Sequence, residues 1–262
     1  MSATPPTTVP LPATATERRL VPEIMDDPSL DRALHEAALR GLGRINRVSR
    51  SAALMWPTIK AFNTPRRTQA EPLRVLDLAC GGGDVLVALA RRAAQASMNV
   101  RWIGADMSGV ALDFARAQAR DAGVEIDFEK IDVFTDALPQ DLDLAMNSLF
   151  MHHLTSEQSV AVLKKMAAMA GAVLINDLRR GAVAHAFTVA GTRLITRSPV
   201  VHVDGPRSVR AAWTPDELRT LAEQAGLRGA TVRRCFPWRM LLYWHRAMTD
   251  PRTDSSNRGG DR

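Results

Sequence analysis

One short stretch holds the residues best spaced for chemistry. Arg74-Val75-Leu76-Asp77-Leu78-Ala79 is rich in β-formers and stops at Cys80-Gly81-Gly82-Gly83, after which Asp84–Ala96 repeats apolar residues at helical spacing. A glycine loop between strand and helix lets a ligand approach the backbone and rest against unpaired helix N–H groups. A dinucleotide fingerprint would need Gly or Ala three residues after Gly83, where Leu86 stands, and the Gly-Lys-Ser/Thr of a phosphate loop is missing. Asp84 complements the helix dipole at that position but would repel a pyrophosphate. The loop therefore suits a nucleoside without a diphosphate. Asp106, 23 residues beyond Gly83, has the spacing of a carboxylate that binds both hydroxyls of a ribose. His152 and His153, with His185 and His202 farther on, are candidate general bases, because histidine as a residue type has a near-neutral pKa.

These groups need a frame, and the strand-loop-helix unit recurs to supply it. Val100–Ala105 leads to Asp106-Met107-Ser108 and a helix over Gly109–Ala122, Ile126–Ile131 leads to Asp132, and Leu142–Asn147 precedes a helix over Ser156–Ala170 and a strand over Ala172–Asn176. Such alternation predicts an α/β fold, a doubly wound and mostly parallel sheet with helices on both faces. Residues 28–62 keep a helical rhythm, with Asp27 and Pro28 as a start signal and Gly41 and Gly43 as candidate breaks. Two helices before Pro57 are expected, as an N-terminal helical cap. After an irregular segment, Thr214-Pro215-Asp216-Glu217 opens a helix ending at Gly226, and Ala230–Phe236 and Arg239–His245 read as closing strands. The expected division is a loose tail at 1–22, a helical cap and linker at 23–72, a main domain at 73–248 with 179–213 as a substrate lid, and a second tail at 249–262.

With these units in order, Val75-Leu76-Asp77-Leu78-Ala79-Cys80-Gly81-Gly82-Gly83 resembles motif I of the class I S-adenosylmethionine methyltransferases, usually D-x-G-x-G-x-G, with Ala79 in place of the first glycine. The resemblance implies a Rossmann-like fold and S-adenosylmethionine as cofactor. It assigns Asp77, Ala79, Cys80, Gly81, Gly83, Asp106, Met107, Asp132, Val133 and Asn147 to cofactor binding, with Asp106 on the ribose hydroxyls and Asp132 on the adenine amine. That motif, Leu142 to Leu154, ends in His152-His153-Leu154, as it often does in the family. Residues 19–46, with Pro22-Glu23-Ile24-Met25-Asp26-Asp27-Pro28, are also similar to bacterial methyltransferases of polyketide and quinone-like pathways, which implies secondary metabolism. Asp77 and Asp106 as simple helix caps would be the structural alternative.

The expected activity is methyl transfer to a small, partly apolar molecule, through the oxygen of a phenol or enol, with His153 or His152 as base. A ring C-methyltransferase of the ubiquinone/menaquinone type and a non-catalytic cofactor-binding module are the alternatives. No metal is expected, because Asn147, Asn176 and Asp177 offer one carboxylate where strands four and five end. The Asn/Asp-Pro-Pro-aromatic signature of amide and adenine methyltransferases is absent.

Composition narrows the classes further. The chain has 262 residues, 24% of them charged, and only two cysteines, Cys80 and Cys235. A disulfide framework or four-cysteine zinc site is excluded, and a cytoplasmic protein is expected. Net charge is +3 over residues 1–72, −5 over 73–178 and +8 over 179–262. An acidic middle with few aromatics argues against nucleic acid as partner. The basic third, with Arg179, Arg180, Arg193, Arg197, Arg207 and Arg210, suits an anionic small molecule or peripheral contact with a membrane surface.

Overall fold

A computed structural model describes residues 17–62 and 71–249. Seven strands form one sheet: β1 (Leu73–Leu78), β2 (Val100–Asp106), β3 (Asp127–Lys130), β4 (Leu142–Ser148), β5 (Ala170–Leu178), β6 (Thr231–Cys235) and β7 (Arg239–His245). Their order is β3-β2-β1-β4-β5-β7-β6, with β1 to β5 parallel and β7 antiparallel to both β5 and β6. The order reverses between β1 and β4, and open α/β sheets hold ligands at the carboxyl ends of strands beside such a reversal.

The eight α-helices among the described residues are α1 (Arg32–Val48), α2 (Ser51–Lys60), α3 (Asp84–Gln95), α4 (Gly109–Ala122), α5 (Ser156–Met169), α6 (Ala182–Ile195), α7 (Pro199–Ala211) and α8 (Pro215–Gln224). Strand alternation sorts side chains into two layers. Val75, Leu144, Met146 and Leu174 pack with Met55 and Ile59 of α2 and Leu86 and Leu89 of α3. Leu76, Ala145, Val173 and Ile175 pack on the other face with Leu163 and Met166 of α5 and Leu218 and Leu221 of α8. The α/β doubly wound expectation is borne out.

Several local expectations need correction. The first helix starts at Arg32, not near Pro28, because Asp31 supplies the N-cap, its Oδ1 accepting from the N–H groups of Ala33 and Leu34. Gly41 and Gly43 sit inside α1. A Cβ on Gly41 would lie 2.6 Å from Thr196 Oγ1, so glycine there permits the close approach of α1 to the connection between α6 and α7. Helix α2 runs through Pro57 rather than ending before it. The irregular segment after β5 is two helices, α6 and α7. Gly181, Gly191, Gly205 and Pro206 punctuate that stretch, and α6 is apolar nearly all round, which hides the helical period.

Residues 17–22 also depart from the expected loose tail. Arg18 donates through Nε to the Ala211 carbonyl at 2.6 Å and through Nη2 to the carbonyls of His152 and Leu154, with its guanidinium 3.4 Å over the Trp213 ring. Residues 1–16, the linker 63–70 and 250–262 lie outside the described residues.

Candidate active site

The glycine loop is held open by an acidic residue from the next strand. Asp106, the last residue of β2, accepts from the Gly81 N–H through Oδ2 and from the Ser108 N–H through Oδ1, both at 2.8 Å. Gln118 of α4 donates to the Gly82 carbonyl at 2.6 Å. Gly81 and Gly83 take φ of +52° and +73°, and Ala79 takes +57°, the left-handed conformation of the glycine it replaces. A Cβ on Gly83 would lie 2.9 Å from that of Ala115, so the loop lies tight against α4.

Three carboxylates gather around this loop. Asp77 is buried with Oδ1 unpartnered, and burial, together with Asp84 and Asp106, pushes it well above the usual carboxylate range. Burial also raises Asp84, against the hydrogen bond from Asn46, and raises Asp106, against the N–H groups of Ser108 and Gly81. A buried carboxylate with an idle acceptor is costly. A cationic ligand relieves that cost and an anionic one adds to it. The Cys80 thiol is pushed up by burial and the same carboxylates, which makes it a packing group rather than a nucleophile.

Farther along the edge, Met107 is exposed and Val133 is buried beside Asp132, whose Oδ1 accepts from the Phe134 N–H at 2.8 Å. Asn147 is buried with its amide nitrogen 3.8 Å from Met166 Sδ, so that group addresses α5 rather than the loop.

The second half of the site lies past the ends of β4 and β5. A 3-10 turn, Met151–His153, follows β4, and the Trp213 indole donates to the Met151 carbonyl at 2.9 Å. Asp177 of β5 holds His152 twice, through the His152 N–H at 3.2 Å and ring Nδ1 at 2.7 Å. Burial opposes the charge on Asp177, but the His152 ring beside it holds the carboxyl below the usual range. With Nδ1 committed, Nε2 of His152 faces Glu23 Oε1 at 3.7 Å, beyond a direct hydrogen bond. Glu23 is fixed from behind by the Ser208 hydroxyl, which donates to Oε1 at 2.5 Å.

The neighbouring His153 is different. Its Nδ1 lies 3.0 Å from Asp26 Oδ2. Burial alone would lower its pKa, but the bond to Asp26 and the charges of Glu23, Asp26 and Asp177 outweigh it and push it to about 9. At neutral pH His153 is a fixed cation, not a proton acceptor.

The segment carrying Glu23 and Asp26 crosses the site as a strap. A 3-10 turn at Ile24–Asp26 has its Ile24 and Met25 N–H groups bound to the Asp204 carboxylate of α7 at 2.9 and 3.0 Å. Arg207 donates to the Pro22 carbonyl and pairs with Asp204, and Arg180 is tied to the Ala212 carbonyl and to Glu217. These two arginines of the basic segment therefore brace the cover. Under α1, buried Arg239 donates through Nη2 to Asn46 Oδ1 and Ser49 Oγ, and burial pulls its pKa down to about 10.

Sequence reasoning placed Asp77, Asp106, His152 and His153 at one edge, and the structure brings them there. It missed Glu23, Asp26 and Ser208 as neighbours of the histidines. The signal for the first two was the Pro22–Pro28 stretch, but no spacing rule connects residue 23 to residue 152.

The comparisons agree with this geometry. Residues 75–171 match the family model described as a methyltransferase domain. The chain carries a class I S-adenosylmethionine-dependent methyltransferase domain. The ubiquinone biosynthesis O-methyltransferase of Ruegeria sp. (strain TM1040) is 28% identical over 185 residues, 68% of each chain. That of Dinoroseobacter shibae is 29% identical over 157 residues, 59% of this chain and 60% of the relative. The methyltransferase thus spans about two thirds or less of the length of these relatives. Among solved structures, the plantazolicin methyltransferase BpumL with a desmethylPZN analog and SAH superposes at TM-score 0.60, with 14% identity over 84% of this chain and 92% of that one. SibL in its apo form gives 0.57, with 20% identity over 84% and 60%. At such identity these likenesses concern the fold.

Proposed function

We propose that this methyltransferase methylates the hydroxyl oxygen of a small, partly apolar phenol or enol, with His152 as the proton acceptor. The observation that carries the reading is the buried His152–Asp177 pair at 2.7 Å, at the carboxyl ends of β4 and β5, where Asp26, the partner of the neighbouring His153, is near enough to act on the charge of Asp106. The curated relatives bear names of O-methyltransferases, which favours oxygen over ring carbon.

Residues Gly81 and Gly83 hold the cofactor backbone-close, with Ala79 and Cys80 shaping the turn. Asp106 would take the ribose hydroxyls on its remaining lone pairs, with Met107 on the rim, and Asp132 and Val133 would border the adenine. Asp77 accepts from the cofactor's ammonium, for which its idle Oδ1 is suited. S-adenosylmethionine, when bound, supplies an electrophilic methyl on a sulfonium sulfur.

Asp177 keeps the His152 Nδ1 proton in place, so that the Nε2 lone pair is the acceptor. The substrate hydroxyl gives its proton to Nε2 as its oxygen forms the new bond to the methyl carbon. Methyl transfer would leave the electron pair of the carbon–sulfur bond on sulfur. His153, cationic beside His152, favours the phenolate-like oxygen. The strap and the α6–α7 cover exclude water, which strengthens these charges.

Ligand atoms of Glu23, His152 and His153 lie within 4.8 Å of one another, but the reading uses no metal, since His153 is protonated at neutral pH and has no lone pair to offer, and Glu23 Oε1 is held by Ser208. The test is turnover of a phenol and quinol panel with product NMR, comparing the wild type with His152→Gln. The variant should lose about 10²–10⁴-fold in kcat and the acidic limb of its pH profile, with cofactor affinity kept. EDTA should leave the wild-type rate unchanged. A wild-type rate in His152→Gln would leave catalysis to proximity alone, and a C-methylated product would replace the oxygen acceptor.

A further inference from the structure

The outer face of α6 carries apolar side chains that no other described element covers. Val183, Phe187 and Leu194 are 61%, 58% and 87% exposed, and Ala182, Ala186 and Ala190 lie along the same stripe. The stripe continues onto a second segment, because the Phe187 ring packs on Trp238 of the β6–β7 turn with centroids 4.6 Å apart, beside Phe236, itself 85% exposed. The opposite side of α6 is used: Ala184 and Thr192 are buried, and Gly205 of α7 approaches close to Thr192 and Thr188. Single exposed apolar residues are ordinary, whereas a continuous stripe with aromatics marks an interaction surface.

The charge around the stripe says what the surface fits. Residues 179–203 contain no Asp or Glu, and neither do residues 228–240. Arg193 and Arg197 beside the stripe, and Arg233 and Arg234 of β6, are exposed. An apolar helix face carrying aromatics, flanked by arginines and free of carboxylates, is the pattern that lies in the plane of a lipid headgroup region. Guanidinium groups near an anionic bilayer add attraction that fades within a Debye length.

We infer that the α6 stripe and the Phe236–Trp238 turn dock this methyltransferase on an anionic lipid surface, with α6 lying flat in the headgroup layer. Helix α7, on the inner side of α6, holds the strap over His152 through Asp204 and Ser208. The docked face is therefore the outside of the cover of the candidate active site, where an apolar acceptor would leave the lipid. The inference rests on the surface alone, so it stands or falls separately from the oxygen-acceptor reading.

The experiment is co-sedimentation of the full chain with vesicles of phosphatidylglycerol and phosphatidylcholine, against phosphatidylcholine alone, with S-adenosylmethionine affinity measured by calorimetry on every variant. The wild type should bind the anionic vesicles, and salt of about 0.5 M should release it. Phe187→Ser with Leu194→Ser, and separately Arg193→Gln with Arg197→Gln, should each weaken the binding about tenfold while cofactor affinity is kept. Each altered side chain is exposed, and unchanged cofactor affinity certifies the fold. Absence of vesicle binding at low salt, or equal binding by both double variants, overturns the inference. Sedimentation that instead finds a dimer broken by Leu194→Ser, with no affinity for lipid, overturns it in favour of a second copy.

Discussion

Ala79 and His153 each hold a conformation or charge that their residue type does not favour alone. Ala79 has φ +57° where the family's motif carries glycine, and an L side chain in that region costs about 1–2 kcal/mol. Glycine would remove the strain and give back part of the gain as unfolded-chain entropy. Ala79→Gly should stabilise the protein by about 0.5–1 kcal/mol in urea unfolding, and a loss of that size would mean that the methyl group packs usefully. His153 is the electrostatic counterpart. Its pKa of about 9 in the folded chain exceeds the ordinary value of 6.5, so folding favours its protonated form. The stabilisation is fully present below about pH 6.5 and is lost as pH rises through about 9. His153→Gln should thus cost about 1–3 kcal/mol at pH 6 and little at pH 10, read from unfolding at the two pH values. Equal costs at both would show that His153 stabilises through packing, not charge. Neither property was legible in the sequence, where His153 stood simply as a candidate base. Its charge depends on Asp26, which lies 127 residues away in the chain.

Among the elements, the strap decides how closed the active site is, and its anchor is one carboxylate. Asp204 lies buried in α7 and caps two N–H groups of the turn at Ile24–Asp26, doing for the strap what an N-cap does for a helix. Burial and the charge of Glu23 raise its pKa, against those two N–H groups and Arg207. Asp204→Ala leaves both donors unpaired and should cost about 2–3 kcal/mol, with KM for the acceptor rising and cofactor affinity nearly kept. Unchanged KM would separate the strap from acceptor binding. The strands and α3 to α5 were legible because each buries one stripe or both faces of a regular element, and Gly109–Ala122 and Arg239–His245 match residue for residue. The pair α6 and α7 was not legible. Its apolar residues point both toward α1 and outward, and no local period distinguishes those two surroundings. Likewise, Gly41 and Gly43 read as breaks, because the sequence does not show that α1 must pass within contact of Thr196 and Asp84.

Across the whole molecule, charge is divided by function. The middle of the chain, net −5, carries Asp77, Asp84 and Asp106 around the glycine loop, whereas the last third, net +8, carries the exposed Arg193, Arg197, Arg233 and Arg234. The field at the loop therefore favours a cation, and the cofactor of this family brings a sulfonium and an ammonium. The loop also joins the two layers of the fold, since Asp77 belongs to β1, Asp106 to β2, and α1 and α4 close over it through Gly43 and Gln118. A ligand bound there stabilises the folded chain as a unit, by about 2.7 kcal/mol at 100 times its dissociation constant. For a protein of this size that is a rise of about 5–10 °C in Tm. S-adenosylmethionine should give that rise in a thermal melt, while NAD and ATP, whose phosphates meet three carboxylates, should give none. Asp106→Ala should remove half or more of the rise at the same cofactor concentration, because a lost charged hydrogen bond of about 1.5–3 kcal/mol lowers affinity by roughly ten- to a hundredfold. Protection by NAD, or full protection of Asp106→Ala by S-adenosylmethionine, would show that these carboxylates shape the loop without selecting its ligand.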